Sequence, residues 1–170
     1  MKTLIILAHP DIKNSRINKA LKTVALESGV SISELYEKYP NFNIDIKKEQ
    51  ELLVAHDRII LQFPCFWYSS PPLLKKYFDD IFTHGFAYGS SGKALNDKKF
   101  GICMSFGGKE HEYSKEYVGY SVNEILVPFE CTIKFIGAKL VKPFFVFDAQ
   151  NISDKELNQK AQAYKDYLKA

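Results

Sequence analysis

From residue 4 to residue 8 the chain is apolar without interruption, and His9-Pro10-Asp11 ends the run. A short apolar run closed by turn residues predicts a strand covered on both faces. Behind it Ile17, Leu21, Val24 and Ala25 recur at helical spacing. This predicts a helix over 15–25 with Ser15 as its N-cap. Residues 30–36 alternate as a second strand, and 39–46 form a loop rich in Pro and Asn. A short helix over 48–55 leads to a third strand, 58–63, stopped by Pro64. Pro71-Pro72 opens a helix over 73–82, since proline is tolerated in a first helical turn. Residues 85–97 form a long loop with several Gly and Ser, and 99–105 a fourth strand broken by Gly107-Gly108. Residues 118–135 read as a helix with Pro128 as a kink or break. Residues 139–147 read as a fifth strand, and 153–168 as an amphipathic helix with a Ser153/Glu156 capping box.

Strictly alternating β and α elements predict an α/β domain over 1–170, a parallel sheet with helices on both faces. No internal repeat, low-complexity tract or linker divides it. In such sheets ligands bind beyond the carboxyl ends of the strands, at the topological switch point. The loops after strands one, three and four are therefore where chemistry is expected.

Composition narrows the possibilities. With 46% hydrophobic and 25% charged residues in 170, the chain can build one ordinary globular core. Its 13 Phe and 10 Tyr either fill that core or line a site for a flat ligand. The net charge of +3 is spread over lysines, with only Arg16 and Arg58 as arginines. Without a concentrated basic stripe, no nucleic-acid partner is expected. Cys65, Cys103 and Cys131 are odd in number and widely spaced, which suits a reduced compartment and no metal site. The 4–8 run is too short for a signal peptide, and nothing approaches the roughly 18 apolar residues of a membrane span. A cytoplasmic location is expected.

The first loop, His9 to Asn18, joins a buried strand to a helix start. Free N–H groups and the helix dipole make that place an anion site. Ser15 can add a hydroxyl, and Arg16 or His9 charge; alternatively the loop is an N-cap with two solvated side chains. It carries neither a dinucleotide fingerprint nor a P-loop ending. The second loop, Pro64-Cys65-Phe66-Trp67-Tyr68-Ser69-Ser70-Pro71-Pro72, holds three consecutive aromatics. They either stack on a heteroaromatic ring or plug the base of the next helix. A phosphatase of this sheet type needs Arg six positions after its Cys, following strand one. Here Pro71 stands six after Cys65, which follows strand three, and Cys65 reads as inert. In the third loop, Ser105-Phe106-Gly107-Gly108 to Tyr113, the paired glycines admit a close ligand or simply make a turn. His56 reads as a surface or helix-end residue, and His84 as edging a pocket or subunit contact. No Ser-His-Asp arrangement or metal-like spacing is present.

Taken together the three loops resemble the flavodoxin-like NAD(P)H:quinone oxidoreductases, the DT-diaphorase group. The nearer likeness is to its short bacterial branch of general stress protein 14-type reductases and ancillary subunits of glutathione-gated potassium efflux systems. Ala8-His9-Pro10 with Ser15-Arg16-Ile17-Asn18, Leu35 to Pro40, Phe63-Pro64 through Pro71-Pro72-Leu73-Leu74-Lys75, and His84-Gly85-Phe86-Ala87-Tyr88-Gly89 carry it. The resemblance implies a flavodoxin-like three-layer sandwich whose five-stranded parallel sheet has the order 2-1-3-4-5. It implies a flavin: FMN in a chain this short, with FAD the alternative, and NADH or NADPH as co-substrate.

By that likeness His9, Ser15, Arg16, Ile17 and Asn18 hold the phosphate end. Pro64, Cys65, Phe66, Trp67 and Tyr68 line the ring. Ser105, Phe106, Gly107, Gly108 and Tyr113 close the other side. It further implies ping-pong hydride transfer to a quinone-like acceptor, a homodimer with the site at its interface, and, as a second role, docking on a potassium-efflux transporter. Tyr113 is the expected catalytic residue, donating a hydrogen bond to the developing anion. Two departures stand out. Ser105-Phe106 replaces the Thr-Thr often found before the glycine pair. The His expected six residues after Tyr113 falls at Gly119, leaving proton delivery to His111 or water. A one-electron flavodoxin carrier is disfavoured by the positive charge, and a receiver domain by the lack of its acidic pair.

Overall fold

A computed structural model describes residues 1–169. The elements run β1 (Thr3–Leu7), α1 (Arg16–Glu27), β2 (Ser31–Glu34), α2 (Leu35–Lys38), α3 (Ile46–Val54), β3 (Arg58–Pro64), α4 (Pro72–Ile81), β4 (Lys99–Ser105), a 3-10 turn (Glu110–Tyr113), α5 (Val122–Phe135), β5 (Lys139–Leu140), β6 (Phe144–Val146) and α6 (Asp154–Lys169). The strands are parallel in the order β2-β1-β3-β4-β5, and β6 also pairs with β4. This is the expected flavodoxin-like order, with its fifth position filled by two short strands.

The apolar runs are explained by two covered faces. Leu4, Ile6, Ile59, Leu61, Phe63, Phe100, Ile102 and Met104 point into the layer of α2, α3, α4 and α5. The intervening Ile5, Leu7, Ile60 and Cys103 pack with Ile17 and Leu21 of α1 and Leu157, Tyr164 and Leu168 of α6. The central strands β1, β3 and β4 therefore present apolar residues at both phases of their period-two alternation.

Six local expectations are corrected. The strand read over 139–147 is broken: the Val141 N–H still donates to the Phe100 carbonyl of β4 at 2.8 Å, but Pro143 cannot donate to the ladder, and regular pairing resumes only at Phe144. The second strand stops at Glu34, where the chain turns into α2. Lys38 and Tyr39 there bind the fully buried Glu49, Lys38 Nζ at 3.0 Å and Tyr39 Oη at 2.8 Å. The fifth helix begins at Val122, not 118, because Ser121 and Glu124 form a capping box and Gly119 has φ +84°. Pro128 does not break that helix; it lies on the exposed face with Glu124, so the carbonyl it leaves unpaired meets water. Pro64 belongs to β3, facing Ser105 across the ladder. His56 is at a helix end but buried, its Nδ1 2.8 Å from the Leu52 carbonyl.

Glu49 also receives the Tyr77 and Ser33 hydroxyls, both at 3.3 Å, and Lys38 is its one salt-bridge partner among the described residues. Removing the cation leaves a buried carboxylate uncompensated. Lys38→Met is expected to cost on the order of 3 kcal/mol in urea unfolding, while Lys75→Met, in an exposed pair with Asp79, is expected to cost about 0.5 kcal/mol or less.

Candidate functional site

Register decides where the loops meet. β1 pairs with β3 so that Leu7 lies beside Gln62, and β3 with β4 so that Pro64 lies beside Ser105. The Ala8 N–H continues the first ladder to the Gln62 carbonyl at 2.9 Å, and the Cys65 N–H continues the second to the Ser105 carbonyl at 2.7 Å. All three loops thus leave the sheet at one edge, around a cleft of about 560 Å³. His9, Ser15, Arg16, Ile17 and Asn18 line it from the first loop, Pro64, Cys65 and Phe66 from the second, and Ser105, Phe106 and Gly107 from the third. The structure adds Asp11, Asn14, Ala149 and Gln150. The last two follow β6, a strand end that was not among the three loops singled out. Trp67, Tyr68, Gly108 and Tyr113 do not line this cleft.

The first-loop end is built for an anion. The Ser15 side chain accepts from the Asn18 N–H at 3.2 Å and caps α1, so its own proton stays available. The Arg16 and Ile17 N–H groups lie in the first turn, where no intrahelical acceptor exists. Arg16 turns outward to Asp154 at 2.7 Å, an exposed pair. His9 Nδ1 accepts from the Asp11 N–H at 3.1 Å, which leaves Nε2 as the protonated nitrogen of a neutral ring. Burial pushes the His9 pKa down, and the nearby Asp11 carboxylate opposes this.

The second loop is a strained hairpin. Phe66 and Ser69 exchange two main-chain hydrogen bonds, N–H to carbonyl at 2.9 and 3.0 Å. Between them Trp67 and Tyr68 have φ of +50° and +62°. Two successive left-handed residues make the type I′ turn that normally carries Asn-Gly. Large aromatics there cost of order 1 kcal/mol each. Trp67 is 94% exposed, so no intramolecular packing compensates at that residue. Cys65 beneath the hairpin is half-buried, and burial pushes its thiol up to about 11. A thiol held protonated in this way is a poor nucleophile.

Tyr113 ties the third loop to the second. Its hydroxyl accepts from the Gly108 N–H at 3.3 Å, and its ring stands edge-on to Phe106 at 4.7 Å and Tyr68 at 6.3 Å. Burial raises its pKa, keeping the phenol protonated. A Cβ built on Gly107 would touch nothing within 4 Å, and that residue has no positive φ; nothing within the chain demands glycine there. His111 lines an adjoining hollow with Tyr113 and Phe147. His84 is exposed, its ring lies edge-on to Tyr88, and its Nε2 would be 2.5 Å from a Cβ at Gly89. Among the described residues no three His, Cys, Asp or Glu side chains gather as a metal site, and no helix is long and apolar enough to cross a membrane.

Two outcomes follow from this geometry. Trp67→Asn relieves left-handed strain without losing buried contacts, so it should raise unfolding stability by about 1 kcal/mol, measured in dilute protein where association contributes least. For His9 the folded pKa is depressed, so the unfolded state takes up its proton first as pH falls. Stability is therefore lost as pH drops below about 6.5, and His9→Gln should flatten that part of the curve of melting temperature against pH.

Known proteins are similar to this chain over nearly its whole length. The uncharacterized NAD(P)H oxidoreductase YdeQ of Bacillus subtilis is 43% identical, over 99% of this chain and 86% of its own. The glutathione-regulated potassium-efflux system ancillary protein KefF of Enterobacter is 39% identical, over 97% of this chain and 94% of its own. Among solved structures, general stress protein 14 of Treponema denticola in complex with FMN is 38% identical with a TM-score of 0.95, covering 99% and 98% of the two chains. An NADPH-quinone reductase from P. pentosaceus is 30% identical with a TM-score of 0.89, covering 98% and 97%. A family model for the flavodoxin-like fold matches residues 1–168, and the chain belongs to that flavodoxin-like family.

Proposed function

We propose that this protein is a reductase that binds FMN in the three-loop cleft and uses it to carry two electrons from NAD(P)H to a quinone-like acceptor. The observation that carries this reading is one cleft joining unpaired helix-start N–H groups, a hairpin wall and an open glycine. These features suit a planar ring with a phosphorylated tail. The names of the relatives support an oxidoreductase, and the FMN complex of a chain matched over 98% of its length favours FMN over FAD. When bound, the flavin would supply a hydride acceptor and donor that no side chain provides.

The residues then divide the work. Ser15 and the Arg16 and Ile17 N–H groups hold the phosphate, with His9 donating from Nε2. Pro64, Cys65 and Phe66 bound the ring on one side and Ser105, Phe106 and Gly107 on the other, with Trp67, Tyr68 and Gly108 next to them in the chain. Tyr113, neutral and already accepting from Gly108, donates its proton in a hydrogen bond to the anion forming on the acceptor. Trp67, Tyr68 and Phe135, which is 70% exposed, lie at or near an apolar groove between α4 and α5. A second copy of the chain covers them, placing the cleft at a dimer interface. The likeness to KefF favours an added role as a potassium-efflux ancillary subunit, which co-purification with such a transporter tests.

Purified protein should be yellow, bleach with NADH or NADPH under anaerobic conditions, and recover with a quinone. A colourless protein that takes up neither FMN nor FAD at micromolar concentration would overturn the proposal. Tyr113→Phe should lower quinone turnover roughly a hundredfold with FMN affinity retained; unchanged turnover removes Tyr113 from the mechanism.

A further inference from the structure

The α1/α6 face of the sheet is crossed by a line of buried polar side chains. The Tyr164 hydroxyl donates to Gln62 Oε1 at 3.1 Å. Gln62 Nε2 donates to the main-chain carbonyl of Asn18 at 3.1 Å and to Asn18 Oδ1 at 3.4 Å. Asn18 Nδ2 donates to Ser105 Oγ at 2.8 Å. Gln62 and Tyr164 are fully buried, and Asn18 and Ser105 nearly so. Only Asn18 and Ser105 reach the cleft.

One group sets the sense of every bond. A main-chain carbonyl can only accept, so the end of the Gln62 carboxamide facing it must be the NH₂. The Gln62 oxygen then faces Tyr164, whose hydroxyl must donate. The same NH₂ meets Asn18, which therefore presents its oxygen to Gln62 and its own NH₂ to Ser105. Ser105 Oγ accepts inside the protein, and its hydroxyl proton is left for the cleft. A solitary serine hydroxyl rotates and can serve either role. In this chain it is held as a donor, and each buried bond polarises the next.

We propose that Gln62 and Tyr164 are positioning residues that act through Asn18 to hold the Ser105 hydroxyl as a fixed donor to an acceptor atom of the bound flavin. The inference rests on the flavin reading above. It extends the site into the core, to residues on β3 and α6 that touch no ligand. Replacing Gln62 by an apolar residue frees Asn18 to flip, and Ser105 then turns its proton inward.

The test is FMN affinity, measured by fluorescence quenching on apoprotein, for wild type, Ser105→Ala, Gln62→Met and the double variant. Ser105→Ala should weaken binding about tenfold, the worth of one buried hydrogen bond. Gln62→Met should weaken it by a similar factor from outside the cleft. The double variant should be no weaker than Ser105→Ala alone, since coupled residues are non-additive. Both single variants should shift the visible spectrum of bound flavin in the same direction. Losses that multiply in the double variant, or Gln62→Met binding as tightly as wild type, overturn the proposal. If circular dichroism shows Gln62→Met unfolded, Tyr164→Phe takes its place, with an expected loss of about threefold that disappears in the Ser105→Ala background. A wild type that takes up no flavin refutes the flavin reading itself and this inference with it. A wild type that binds flavin while the variants act independently refutes the inference alone.

Discussion

The in-register pairing of β3 with β4 is the constraint on which the candidate site depends. Seven residues face seven, ending with Pro64 opposite Ser105. A slip of one residue would exchange the two faces of every side chain on the strand. Phe63 and Met104 would leave the α4/α5 core, and Gln62 would lose Asn18 and Tyr164. With the register as it is, the last ladder bond, from the Cys65 N–H to the Ser105 carbonyl, delivers the aromatic hairpin and the glycine loop side by side. The three loops need no bond network of their own to find one another.

Within that frame the two sides of the cleft are built differently. The first-loop end uses ordinary helix-start chemistry, with a cap on α1 and the free donors that any helix start carries. The opposite end stores strain in Trp67 and Tyr68, and strain of this kind persists only where the surroundings over-determine it. The hairpin's two closing bonds and the contact of Tyr68 with Tyr113 supply that determination. Trp67 contributes nothing to folding that the described residues reveal.

Much of this was legible in the residues. Continuous apolar runs at 4–8, 58–63 and 99–105 identified the central strands, because both of their faces are covered. Ser15, Ser121 and Ser153 marked helix starts, although Ser121 was overlooked in favour of the apolar pattern before it. The chain's turn into α2 at Leu35 was not legible, because the buried Glu49 holds the residues after it, Lys38 and Tyr39, through tertiary contacts. The break in the fifth strand has a simpler cause that the sequence does display: Pro143, which brings no N–H to the ladder. At the site, eleven of the fifteen expected residues line the cleft, while Ala149 and Gln150 follow the last strand, whose end lies outside the three loops in which chemistry is expected. The roles of Gln62 and Tyr164 depend on hydrogen-bond direction, which no spacing along a chain encodes.

Pro143 has an effect well beyond the local break. The sheet margin formed by β5 and β6 consists of two and three paired residues with a gap between them, and the opposite margin, β2, has four before it winds into α2. Neither side offers a long row of unsatisfied amides to another chain, the feature that lets sheets grow by strand addition. Copies of this molecule are thereby steered away from joining sheet to sheet, and any contact between them would fall to helix faces and side chains, where shape rather than backbone pairing selects the partner.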